Sequence, residues 1–405
     1  MKGGEIIPLE ELNLPFLSEE HRLLRSAIRE FAEKEIIPTA LERDKNSDIQ
    51  GTVKIFKKLA KLGYAGIRIP EEYGGQGMDM YSEIILMEEL GYADPSVAVT
   101  MLIHTGAAAA CIYQLAPEEL KQRYLPTIAK GEKILAFAMT EDEIPGSWSS
   151  YMKTTAKLEG DKYILNGRKA FITNAGIADL FVVFARLDQE KPDHKGIGIF
   201  LVEKEFPGVS FESEEPALGI KAASWGTVSF NNCEVPKENL IMEPPKAFAA
   251  AMNLFNQERM ENPSVCNGIA TRALDESVGF LSQRKDPRSG KSFIEGYQSL
   301  QFKIAEMYAL IRASRLGVWH AAYLLENGHP YVKEVSAAKF FANEAVRKVC
   351  SDAVQLHGGY GYSAALIVEK LLRDGMFGGI AGGTLEALKL RTIREILREK
   401  GISRK

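Results

Sequence analysis

The segment "FGGIAGGTLEA", Phe377 to Ala387, sets Gly378, Gly379, Gly382 and Gly383 beside Thr384 and Glu386. Glycine is costly inside a helix, so such a cluster marks backbone that turns, or that lies against something too close for side chains. If that something reacts, an acid or base must stand nearby, and the familiar arrangements are missing. The six histidines do not gather with acids or cysteines at metal-ligand spacing, and there is no His-Glu-x-x-His. "SGKS", Ser289 to Ser292, has Lys285 where a phosphate loop needs its leading glycine, and it joins two helical stretches. "HGGYGY", from His357, is not Gly-x-Gly-x-x-Gly and follows a helix, which argues against a Rossmann nucleotide site. No Gly-x-Ser-x-Gly occurs. Carboxylates remain: Glu258, directly before Arg259 in "FNQERMENP", then Glu261 and Glu386. Taken alone, a Glu-Arg pair on a helix reads as a solvated ion pair.

The elements that must position these groups follow from periodicity. Residues 16 to about 135 read as helix, beginning at "LSEEHRLLRSAIREFAEKEI" with Ser18 as N-cap and Leu24, Ala27, Ile28 and Phe31 on one face. The apolar run "VAVTMLIHTGAAAACIY" is interrupted by His104 and Thr105 and reads as buried helix, not as a membrane span. From about 136 the period turns strand-like, with turns expected at Gly160-Asp161 and at Asn166-Gly167. Long helices return from about 246 to the end, four in number, enough for a bundle. The expectation is an α+β multidomain protein: an N-terminal helical domain (1–135), a β-barrel-like domain (136–245) and a C-terminal four-helix bundle (246–405). A net charge of −4 gives no electrostatic case for nucleic acid or an anionic membrane. No targeting segment is visible in "MKGGEIIPLEEL". The four cysteines are widely spaced, so reduced thiols in the cytoplasm are expected.

Several segments, in order, resemble the acyl-CoA dehydrogenase family of flavoenzymes along almost the whole chain. They are "IPEEYGGQGMD", "AFAMTEDEIPGSWSS", "LNGRKAFITNA" and "AVQLHGGYGY" with "VEKLLRD". The resemblance implies FAD as cofactor. It places Phe137, Met139, Thr140 and Ser147 along the flavin loop, and Thr173 as donor to flavin N5. Phe171 would pack near the ring in place of the usual Trp. Arg284, Gln355, Gly358 and Gly359 would meet the ADP half of a cofactor held mainly by a neighbouring subunit, with Thr384 and Glu386 also on the cofactor side. Two departures stand out: the flavin loop "EDEIPGSW" is one residue longer than usual, and "RKDPRSG" replaces Arg-x-x-Phe-Gly.

In most of the family the opening segment reads Ile-Tyr-Glu-Gly-Thr, and its Glu removes the substrate's α-proton. Here Gly382 stands in that place. Branches resembling the isovaleryl-CoA and long-chain dehydrogenases carry the Glu on the first bundle helix, just before an arginine, as Glu258 does here. The resemblance therefore implies Glu258 as base, hydride transfer to flavin N5, and Phe255, Arg259, Gly382 and Gly383 around an acyl-CoA substrate, with Gly382 N–H toward the thioester oxygen. It also implies a homotetramer and an electron-transferring flavoprotein as acceptor. Alternatives are a related flavoenzyme with another elimination or oxidation, or a catalytically silent helical binding protein. The segment Ser96 to Ala110, expected as the floor of the acyl pocket, holds no Arg or Lys, so an uncharged acyl chain is expected there.

Overall fold

The computed structural model describes residues 14–144, 151–188, 190, 191 and 193–402. Seven helices come first: α1 (Glu19–Glu35), α2 (Ala40–Asn46), α3 (Ile49–Lys61), α4 (Met80–Ala93), α5 (Pro95–Ile103), α6 (Ala109–Leu115) and α7 (Glu118–Ala129). Ser18 caps α1 by accepting from the His21 N–H, and the His21 side chain returns the contact to the cap backbone. The apolar run becomes α5, a π-helical turn over His104–Ala108, and α6. It is long and apolar enough to cross a membrane by composition, yet 89% of that window is buried inside the fold.

Eight strands follow: β1 (Leu135–Ala138), β2 (Thr155–Glu159), β3 (Lys162–Thr173), β4 (Leu180–Arg186), β5 (Ile197–Glu203), β6 (Val209–Glu214), β7 (Trp225–Pro236) and β8 (Leu240–Met242). They form one sheet in the order β6-β7-β3-β2-β4-β5-β8, with β1 beside β4. Pairing is antiparallel except where β1 and β2 meet β4. Every residue of β4 is buried, as a strand covered on both faces requires. Gly160, at φ +67°, makes the β2–β3 turn as expected.

Asn166-Gly167 does not turn the chain. It lies inside β3, where the register with β7 slips between Leu165 and Gly167. Gly167 takes φ +155°, and a Cβ there would lie 2.6 Å from Thr154 Cα. The pair thus serves a bulge with close backbone approach instead of a hairpin.

Helices resume with α8 (Ala247–Gln283), α9 (Phe293–Gly296), α10 (Gln298–Glu326), α11 (Val332–His357), α12 (Val368–Gly375) and α13 (Leu385–Glu399). The result is a helical unit, a sheet unit and a second helical unit. One apolar core joins the two helical parts, with Met260, Val265 and Ile269 of α8 packed among Ile84, Met87 and Leu90 of α4 and Trp319 of α10. A second core runs from α6 and α7 to β4 and β5 and takes in Ala251 and Leu254. The 37-residue α8 therefore touches all three units, and Glu258 sits between its two cores.

Candidate active site

Glu258 is 3% exposed on α8. Gly382, in the loop before α13, has φ +65°, and a Cβ built there would lie 2.6 Å from both Glu258 carboxylate oxygens. A side chain at 382 and a carboxylate at 258 thus exclude one another, which gives a steric reason for losing one where the other is present. Lys339 of α11 is fully buried and donates to Ala381 O at 2.7 Å. Burial pushes its ammonium down to about 8, against the pull of nearby Glu258. Arg259 donates to Asn256 Oδ1 at 2.7 Å and to Gly382 O at 3.5 Å. The two cations hold the glycine loop by its carbonyls. Glu258 Oε2 has no hydrogen-bond partner among the described residues, so a lone pair is free to take a proton. Gly383 shares the left-handed backbone at φ +103°, and Thr384 caps α13 by accepting from Ala387 N. Glu386 is exposed in the first turn of α13, whereas Glu261 is buried one turn beyond Glu258.

The expected flavin wall lies on β3. Between Lys169 and Ile172 the register slips again, and Phe171 adopts φ +59°, rare for an aromatic residue. The bulge leaves its ring 47% exposed and stacked on Trp225 at 5.3 Å, with the indole N–H donating to Phe171 O at 3.1 Å. Strain and exposure together on a large aromatic pair suit a surface that a flat ligand covers. Thr173 pairs with Trp225 at the end of the strand.

The loop at 139–141 is fixed to that strand by groups absent from the sequence-based list. Lys169, fully buried, donates to Met139 O at 3.1 Å and to Glu141 at 2.9 Å, while Ala170 N donates to Thr140 O at 3.0 Å. Glu141 also accepts from the backbone of Lys153 and Thr154. Burial would raise its carboxyl, but Lys169 and these hydrogen bonds outweigh it and hold the carboxyl low. A lysine on the inward side of a strand pattern was the available signal. Phe137 meets Phe255 edge to face at 5.0 Å, tying β1 to α8 one turn before Glu258. Ser147 lies outside the described residues.

A second group gathers where α8 and α11 end. The Arg284 guanidinium lies over Phe280 at 5.3 Å, and Phe280 stacks on His357 at 4.3 Å. Gly358 follows with φ +57° and nothing within 4 Å of a would-be Cβ. Arg284, Gln355, Gly358 and Gly359 are all exposed. Bare amides and a guanidinium on one face match the phosphate chemistry of an ADP moiety.

The site residues fit FAD: a stacking aromatic, a pinned loop with carbonyls and Thr140, and an exposed glycine-arginine face.

Comparison with known proteins supplies the family. The N-terminal, middle and C-terminal domains of acyl-CoA dehydrogenase match residues 18–132, 136–233 and 247–397. A short-chain-specific acyl-CoA dehydrogenase of Clostridium acetobutylicum is 39% identical, over 94% of this chain and 99% of the relative. Subunit CarC of the caffeyl-CoA reductase-Etf complex of Acetobacterium woodii is 37% identical, over 89% of this chain and 93% of the relative. The butyryl-CoA dehydrogenase structure from Megasphaera elsdenii superposes with a TM-score of 0.89 at 34% identity, covering 94% of this chain and 99% of that one. The chain belongs to the acyl-CoA dehydrogenase family.

Proposed function

We propose that this FAD-dependent acyl-CoA dehydrogenase forms a 2,3-enoyl-CoA from an acyl-CoA with Glu258 as the α-proton base. The observation that carries the assignment is the contact of the Glu258 carboxylate with Gly382, the position from which most of the family presents its base. Bound FAD supplies the acceptor for the hydride that leaves the β-carbon. Glu258 takes the proton on Oε2, in surroundings from which its burial excludes water. Lys339 and Arg259 fix the 381–382 carbonyls, which orients the Gly382 N–H toward the thioester oxygen as negative charge grows there. Lys169 and Glu141 keep the 139–141 backbone in register with Phe171, so the loop meets the cofactor already ordered.

The exposed set at Arg284, Gln355, Gly358 and Gly359 serves the ADP half of a cofactor shared with a second subunit of a homotetramer. An electron-transferring flavoprotein is the electron acceptor, supported by the relative named as part of an Etf complex. Four buried free thiols support a cytoplasmic location.

The test is anaerobic: protein reconstituted with FAD and desalted should retain flavin absorbance and bleach with an acyl-CoA panel. Loss of flavin on desalting, or no bleaching by any thioester, refutes the reading.

A further inference from the structure

One face of α11 carries Lys339, Asn343 and Arg347, four residues apart, and all three aim donors at the loop before α13. Arg347 donates to Met376 O at 3.4 Å, Asn343 Nδ2 to Gly378 O at 2.8 Å and Lys339 Nζ to Ala381 O at 2.7 Å. Glycine lets the loop come this close. A Cβ at Gly378 would strike Asn343 Oδ1 and Cys266 Sγ, and one at Gly379 would strike the Arg347 guanidinium. These two glycines therefore serve the helix that holds the loop, whereas Gly382 faces Glu258.

Lys339 differs from the other two in bringing a full charge to the corner where the base stands. A Cβ at Gly382 would strike Lys339 Nζ and both Glu258 oxygens together, so the ammonium lies within roughly 5 Å of the carboxylate. Yet Glu258 Oε2 receives no hydrogen bond from it, while Nζ donates to Ala381 O. Both side chains are buried, so salt screens their attraction little. Arg259 is a second cation beside Glu258, but it is partly exposed and uses its donors on Asn256 and Gly382 O. Burial favours the neutral forms of Glu261 and Cys266 on α8 and of Tyr331 before α11, and Arg391 of α13 repels Arg259. Burial lowers the Lys339 ammonium to about 8 against the pull of Glu258, which leaves its charge present at neutral pH and below.

Resting on the reading of Glu258 as base, we propose that Lys339 is a positioning residue for the proton transfer. Its ammonium, docked on Ala381 O, keeps the Glu258 carboxylate ionised at the Gly382 corner and leaves Oε2 free to take the proton. A buried carboxylate with no cation near it takes up a proton from solvent and is idle as a base. A cation in direct contact would occupy the lone pair instead. Charge held one atom group away, on the backbone of the loop itself, avoids both.

The experiment follows anaerobic flavin reduction against pH, with butyryl-CoA as probe, in FAD-loaded wild type, Lys339→Met, Lys339→Gln and Asn343→Leu. Loss of the charge should move the acid limb of the rate profile up by about one to three pH units in both lysine variants. Lys339→Gln keeps an N–H donor and loses the charge, so it reads the limb even if Lys339→Met fails to hold FAD. Asn343→Leu removes a neutral anchor of the same loop, and should slow reduction by about tenfold with the limb in place. A limb unmoved in the lysine variants, or moved as far by Asn343→Leu, overturns the inference. Glu258→Gln separates it from the reading beneath. A limb that persists there does not belong to the base and overturns both, whereas one that vanishes there but ignores Lys339 overturns the inference alone. Wild-type flavin that neither butyryl-CoA nor the rest of the panel reduces also overturns both.

Discussion

Two clusters of buried charge in this molecule are built in opposite ways. Around Asp94 each carboxylate oxygen has its donor. Asp94 accepts from Arg43 at 2.6 Å, Lys370 at 3.0 Å and Ser96 N at 3.1 Å. Asp374 accepts from Lys370 at 2.5 Å and Ile220 N at 2.6 Å, and Asp44 pairs with Arg373 at 2.7 Å. Three acids meet three bases, drawn from the first helices, the sheet unit and α12. Burial alone would lower the Lys370 ammonium, but Asp374 and Asp94 outweigh it and hold it up. Around Glu258, by contrast, Oε2 of Glu83 (3.5 Å from Arg68 Nε), Oε2 of Glu258, both oxygens of Glu261 and both amide atoms of Asn262 have no hydrogen-bond partner among the described residues. Both clusters are equally dry, so burial does not separate them; completeness of pairing does. The fold completes its ion pairs where three units must lock together, and leaves valences open beside the glycine loop at 381–383.

The contrast can be broken from either side. Asp94→Ala leaves Arg43 without a carboxylate and Lys370 with Asp374 alone, and should cost about 3–5 kcal/mol of stability in denaturant unfolding. A loss under 1 kcal/mol would show that the matched cluster is not structural.

Gly382→Ala puts a Cβ against the Glu258 oxygens at a φ that disfavours it, so kcat/KM should fall by about one to two decades with FAD content unchanged. Wild-type kinetics in this variant would mean that the contact is not critical.

Phe171→Ala removes half of an exposed stacking pair and should weaken FAD retention by about tenfold, read by titrating apoprotein with FAD.

The smallest effect is on stability at Glu261. Its folded carboxyl holds a proton above 4.5, where the unfolded chain has released it. Its contribution is therefore full below 4.5 and is lost as pH rises through the raised folded value. Glu261→Gln removes that dependence, so the variant should gain on the order of 1 kcal/mol over wild type at pH 8 and little at pH 4.5. An equal difference at both pH values would show that Glu261 carries no such penalty.

The α–β–α layout was legible because hydrophobic periodicity changes twice along the chain, and the Ser18 cap and the Gly160 turn were legible from local chemistry. The exchange between Gly382 and Glu258 was readable only through the family resemblance, because the contact joins residues far apart in sequence. What stayed hidden depends on tertiary approach. Asn166-Gly167 carries a strong turn signature, but its pairing with β7 converts it to a bulge. Glu83 gave no signal and Glu261 stood only as a weaker candidate behind Glu258, since no local feature says that α4 is buried almost all round or that Gly106 brings the π-helical turn onto α8. Lys169 falls on the inward side of the β3 pattern, but no local feature says that Glu141 lies within reach of its ammonium.

The central claim is that the α-proton goes to Glu258, and it is tested most directly by stopped-flow anaerobic reduction of the flavin in Glu258→Gln. The variant should bind FAD and acyl-CoA like the wild type and reduce its flavin slower by about two to four decades. Reduction at a near wild-type rate would contradict the account.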